Sequence, residues 1–282
     1  MRIPARAAID TIIDALYDPF RHGFMVRALA VSLLVGVLCP VIGSYVVTRR
    51  LAFMGDALAH AIMPGLVGGV LIGVSPFAGA IPVGIAVALL IGVISRRTGV
   101  SEDTTIGILF AGLFALGLTM LTKADGLSVD LEDILLGQVL AVSSTDVYVT
   151  LGLALGVLAA LAVLHKELVF ASFDPVGATV AGLPTGALDY ALLVLLALVI
   201  VLAVQAVGVV LVMAMLVTPA ATAFLLVRGF VSMMAVSALL GAIAAIAGLY
   251  LSFYYNLPSG PAMTLVATGL FLPVAAVRRR AA

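Results

Sequence analysis

The chain has 282 residues, 64% of them hydrophobic and 10% charged, and its 14 basic and 14 acidic side chains cancel to a formal net charge of zero. Soluble domains are nearer about half apolar and about a quarter charged, so a mean hydropathy of +1.31 marks an integral membrane protein. The charge balance gives no basic surface for nucleic acid. No polar stretch is long enough for a separate soluble domain, so one transmembrane domain is expected over 1–282.

Residues 1–22 carry acids as well as arginines and lack the short apolar core and small-residue cleavage site of a signal peptide. They read as an N-terminal interfacial helix resting on lipid. Apolar runs long enough to cross a bilayer follow near 27–48, 53–73, 77–95, 104–122, 146–164, 188–205, 207–227, 230–252 and 261–277. Lipid offers the backbone no hydrogen bonds, so each run must be helical. The stretch 188–227 reads either as one broken element or as two spans with a turn near Gln205 and Gly208. The expected fold is therefore an all-α, polytopic transmembrane helix bundle of about eight to nine spans.

Basic residues orient the bundle. Arg49-Arg50, Arg96-Arg97, His165-Lys166, Arg228 and Arg278-Arg279-Arg280 are each separated from the next by an even number of candidate spans. All five then face the cytoplasm, with the C-terminus inside and the N-terminus outside. The arginines near the N-terminus argue against the latter placement. The outer loops are Gly73–Pro76, Lys123–Asp146 and Asn256–Pro261, the second holding the acidic group Asp125, Asp130, Glu132 and Asp133. That group reads as solvated loop charge or as a rim that attracts cations. The single cysteine, Cys39, lies in an apolar run and has no intrachain partner.

The residues that carry chemistry begin at Asp56 and His60 in Gly55-Asp56-Ala57-Leu58-Ala59-His60-Ala61. Four positions apart on a helix, they share one face. An Asp inside a span costs about 2.5–3.5 kcal/mol on insertion scales, which marks it as functional. A hard oxygen beside an imidazole nitrogen suits a transition-metal ion. The plainer alternative makes Asp56 a helix cap and His60 a satisfied core residue. Pro64 and Gly65 follow directly and break the helix locally, as at transport sites. Met63 either adds a soft sulfur or packs; with Glu102 and Asp103 it is a candidate gate or subunit contact. Ser101 or Asp103 also suits the N-cap of the next span.

The segment 167–189 is the longest cytoplasmic loop. Within it, Phe173-Asp174-Pro175-Val176-Gly177 opens a short helix, with Asp174 as N-cap, Pro175 at the first position and Gly182 as the stop. Such a helix, apolar and facing water, calls for a docking partner or for lipid headgroups. Neither lysine, Lys123 or Lys166, follows a glycine, so a phosphate-cradling Gly-Lys-Ser/Thr loop is absent. There is no His-Glu-x-x-His, and no pair of intramembrane aspartates, to suggest a protease.

Together these segments resemble the permease subunit of bacterial manganese, zinc or iron ABC importers. The likeness rests on Arg49-Arg50-Leu51 through Gly65, Ser101 through Ile108, Ile134 through Val142, Phe173-Asp174-Pro175, Thr218-Pro219-Ala220-Ala221-Thr222-Ala223 and Pro258-Ser259-Gly260-Pro261, in that order. It implies a multi-pass protein of the bacterial cell membrane that works as a homodimer around a central path. It also implies a cytoplasmic ABC ATPase dimer docked on Phe173, Asp174, Pro175, Val176 and Gly177, and an extracytoplasmic metal-binding protein that delivers the ion. Asp56 and His60 would then contact Mn²⁺, Zn²⁺ or Fe²⁺ in transit, with no stably bound cofactor and ATP held by the partner. A permease for a chelated metal or vitamin, or an ion-coupled secondary transporter, remains the alternative.

Overall fold

The computed structural model describes residues 18–123, 139 and 142–279. Most of the expected interfacial helix, the acidic group of the second outer loop, most of the Ile134–Val142 segment and Arg280 lie outside these residues. Of the expected interfacial helix, Asp18–Arg21 forms a 3-10 turn instead of an α-helix. Among the described residues there are twelve α-helices: α1 (Gly23–Thr48), α2 (Ala52–Ala61), α3 (Met63–Leu71), α4 (Pro76–Thr98), α5 (Glu102–Lys123), α6 (Ser144–Val163), α7 (His165–Phe173), α8 (Pro175–Val180), α9 (Thr185–Val207), α10 (Val209–Leu226), α11 (Phe230–Tyr255) and α12 (Ser259–Arg279).

Eight helical stretches are long and apolar enough to cross a membrane, with α2 and α3 counted as one, and Leu211–Leu226 of α10 is a shorter apolar helix. The run expected near 53–73 is thus a span broken after Ile62. Pro64 explains the break: it has no N–H to give the His60 carbonyl, and its ring crowds the preceding turn. The stretch 188–227 resolves into two antiparallel elements. Gly208 turns between them at φ +79°, a left-handed conformation that glycine adopts without strain. The helix α9 also starts at Thr185 rather than after Asp189, and α7 and α8 fill most of 167–182. The expected long loop is therefore mostly helical.

Contacts at the ends of the bundle set the direction of each pass. Arg49 after α1, Arg96 in α4 and Asp189 in α9 are joined by ion pairs. Tyr45 meets His165 and Phe230. Thr48, Phe173, Phe224 and Arg228 line one groove. Four of the five basic clusters therefore lie at one end of the molecule. At the other end Gln205 Nε2 donates to Asp146 Oδ1 across 3.3 Å, and the His22 ring packs on Phe253.

The interior is built by α1, which packs along α11, α10 and α9. No hydrophobic effect drives helices together in lipid, so close approach relies on small residues. A Cβ at Gly79 would stand 2.2 Å from the Gly65 carbonyl oxygen, so only glycine lets α3 and α4 meet backbone to backbone. Burial is uneven. Most residues of the α2–α3 span are buried, whereas few of those of α5 are, so α5 presents a broad apolar face to its surroundings.

Candidate metal site

Asp56 and His60 lie on α2, which begins at the basic end of the bundle. At 1.5 Å of rise per residue, Asp56 stands about 6 Å and His60 about 12 Å in from the start of that helix. Asp56 is four residues past the first helical position, and the N-cap position belongs to Leu51. The helix-cap alternative for Asp56 therefore fails. Its carboxylate has its side chain 31% exposed, and Oδ1 stands 3.5 Å from His60 Nδ1.

The imidazole is oriented by three neighbours. Its Nδ1 lies 2.9 Å from the Asp56 carbonyl oxygen. A carbonyl only accepts, so Nδ1 carries the proton in the neutral ring and donates it there. Nε2 is then left with its lone pair, the form a metal ion requires. Phe110 and Phe114 of α5 each present a ring to His60 at 5.4 Å, close to perpendicular, and stack on each other at 6.0 Å. Phe53 meets Phe110 at 6.4 Å. These aromatic contacts hold the imidazole by packing rather than by charge.

Most of α2 is buried, but Phe53, Asp56 and His60 share a face that is not. Among the described residues no third His, Cys, Asp or Glu joins the pair. This face of the chain thus offers one carboxylate and one imidazole, fewer groups than a divalent transition metal takes. Met63 is 4% exposed. A Cβ added at Gly117 would stand 2.7 Å from Met63 Cγ, which places Met63 packed between α3 and α5. So little of it reaches the surface that it offers a second chain almost nothing to touch.

Glu102 and Asp103 open α5, where the Ser101 hydroxyl accepts from Thr104 N–H at 3.2 Å. Ser101 is thus the cap. Asp103 is exposed, and Glu102 is half-buried. The Glu102 carboxylate lies within electrostatic reach of Asp189, Arg49 and Arg96. The short helix α8 forms as expected: Asp174 Oδ1 accepts from Gly177 N–H at 2.8 Å, and Pro175 takes the first turn. Phe173 at the end of α7 and Val176 and Val180 of α8 stand 62%, 73% and 84% exposed, an unusual amount of apolar surface around a capped six-residue helix. Beside it lies a groove of about 310 Å³ lined by Thr48, Phe173, Phe224, Arg228, Phe230 and Met233 among others.

Sequence reasoning missed Phe110 and Phe114 as neighbours of the site, and Asp189 as the shared partner of Arg49 and Arg96 at the bundle end. The two phenylalanines repeat at four-residue spacing on α5, as Asp56 and His60 do on α2, and that matched spacing is the signal that pairs the two faces. Asp189 carries no such signal.

The model of the ABC 3 transport family matches residues 21–278. The manganese transport system membrane protein MntC of Halalkalibacterium halodurans is 46% identical over 250 residues, covering 89% of this chain and 86% of that protein. The chelated iron transport system membrane protein YfeD of Yersinia pestis is 36% identical over 269 residues, covering 95% and 90%. The solved structure of PsaBC from Streptococcus pneumoniae in complex with Fab superposes with a TM-score of 0.83 at 35% identity, covering 93% of this chain and 95% of that one. A match over nearly its full length, with the same fold, shows that the chain belongs to the ABC 3 transport family and is a multi-pass membrane permease.

Proposed function

We propose that this chain is the membrane-spanning subunit of an ATP-driven importer for divalent transition-metal ions, with Mn²⁺ as the favoured cargo. The observation that carries the reading is the half-open Asp56–His60 face on an otherwise buried, broken span. A carboxylate on that face is too costly to leave against acyl chains, so a partner or a watered path covers it. A second copy related by a two-fold axis supplies both. Two carboxylates and two imidazoles then surround one ion, and the rest of its shell is water. Mn²⁺ is favoured because the relative named for manganese, at 46% identity, is nearer than the one named for chelated iron, at 36%.

The chain has no phosphate-cradling loop, so the energy enters through a separate ATPase. The exposed apolar side chains of Phe173, Val176 and Val180, beside the groove at the basic end, are the surface on which a cytoplasmic ATPase dimer docks. The basic end is then cytoplasmic, and α12 returns the C-terminus to that side of the bacterial plasma membrane. A metal-binding protein delivers the ion from the opposite face.

Reconstitution with the ATPase partner and the binding protein in proteoliposomes tests the reading. Mn²⁺ accumulation should require ATP inside the compartment that α8 faces, and Val176→Asp should abolish it by removing the dock. Accumulation driven by a proton or sodium gradient without the ATPase would favour an ion-coupled transporter instead.

A further inference from the structure

Arg49 is the C-cap directly after α1 and stands three positions before the first residue of α2. Wherever its side chain is held, the start of the metal-binding helix is held too. The side chain is 14% exposed. Its Nε donates to Ser172 Oγ at 2.9 Å, and Ser172 immediately precedes Phe173 at the docking surface. Its Nη1 donates to Asp189 Oδ1 at 2.6 Å. Asp189 Oδ2 is taken by Arg96 Nη2, so both carboxylate oxygens are used. The third Arg49 nitrogen, Nη2, is buried and has no hydrogen-bond partner among the described residues. Glu102, at the head of the helix whose phenylalanines hold His60, also feels the charges of Asp189, Arg49 and Arg96. The next residue, Arg50, sits at φ +61°, a left-handed conformation that a non-glycine residue keeps only where its neighbours fix it.

We propose that Arg49, Asp189 and Arg96 form an ionic latch that passes movement of the α7–α8 segment to α2, and so from the ATPase to the metal ligands. This rests on the reading of α8 as the dock and of Asp56 and His60 as ligands. The structure shows one position of the latch, and the proposal adds a second. In the observed one, Arg49 binds Ser172 and Asp189. When the ATPase draws α7 and α8 away, Ser172 leaves Nε, and Glu102 is the carboxylate available to the free nitrogen. Transfer of Arg49 toward Glu102 shifts the α1–α2 corner against α5, where Phe110 and Phe114 set the His60 ring. Two discrete arrangements of one charged cluster, each favoured by a different partner state, are what energetic coupling between distant sites requires. Arg49, Asp189 and Arg96 are positioning residues here; they touch no cargo.

The test uses the full complex with its ATPase and binding protein, in proteoliposomes, with Asp189→Asn. This substitution keeps the shape and removes the charge that holds both arginines. Mn²⁺ binding to the purified complex and ATP hydrolysis should stay near the parent's, while Mn²⁺ imported per ATP falls by about 10-fold or more. Asp189→Glu should recover part of that ratio. Asp56→Ala is the reference: it should lose Mn²⁺ binding itself, and its failure to do so would condemn the ligand reading without touching the latch. An unchanged import-to-ATP ratio in Asp189→Asn overturns the latch, as does loss of Mn²⁺ binding alongside transport. If Asp189→Asn does not accumulate in the membrane, Arg96→Gln, at a half-exposed position, gives the same readout, and a parent-like ratio there overturns the proposal.

Discussion

Alanine at Asp56 or at His60 is expected to cut metal uptake by at least about 10-fold while the protein still inserts and folds. Even residues that only orient metal ligands carry about 10–100-fold in metal affinity or activity, and the proposed function makes these two the ligands themselves. Neither side chain belongs to the core: they are 31% and 21% exposed. Removing the Asp56 carboxylate also removes an insertion cost, so a transport defect cannot be laid to failed insertion. Asp56→Asn is the sharper variant, because it keeps size and shape and loses only the charge. Radioactive Mn²⁺ uptake, normalised to protein in the membrane, reads the effect. Uptake at the parent's level in Asp56→Asn would remove the carboxylate from the mechanism.

The second large effect is structural. Leucine at Gly79 is expected to prevent the α3–α4 hairpin from closing. A Cβ there stands 2.2 Å from the Gly65 carbonyl oxygen and 2.9 Å from Gly69 Cα, and a Cβ at Gly65 stands 2.6 Å from the Gly79 carbonyl oxygen. These are backbone atoms, which cannot swing aside as a side chain does. Overpacking of this sort costs about 1–3 kcal/mol when flexible groups can adjust, and more is expected where none can. Lipid gives back nothing, since helix association here depends on close packing itself. Thermal unfolding of the detergent-purified protein should shift strongly downward. Gly152→Leu, where a Cβ meets nothing within 4 Å, should behave like the parent and serves as the control. The break after Ile62 is set by Pro64, so the hairpin's position fixes where the helix carrying His60 ends.

Much of this architecture is legible along the chain because its causes are local. Apolar length predicts each span, Asp174 and Pro175 predict the start of α8, and Pro64 predicts the broken span. Asp56 and His60 stand out because a helix turn brings them to one face. What escaped the sequence depends on partners far apart. Asp189 is 140 positions from Arg49 and 93 from Arg96, and nothing local distinguishes it from an end-of-loop charge. Gly208 was ambiguous for the opposite reason. A glycine between two apolar runs fits a kink or a reversal equally well, and the tertiary contacts of Asp146 with Gln205, and of Phe224 with the basic-end groove, decide for reversal. The role of α5 was hidden too, because packing against an imidazole leaves no mark on phenylalanines that would be apolar in any span.

The central claim is that the His60 nitrogen and the Asp56 carboxylate hold the travelling ion. Pulsed electron paramagnetic resonance on the Mn²⁺-loaded importer complex reads it directly, because a coordinated imidazole nitrogen modulates the Mn²⁺ echo. The parent should show that nitrogen coupling and His60→Ala should lose it. A parent spectrum with bound Mn²⁺ and no nitrogen modulation would contradict the account.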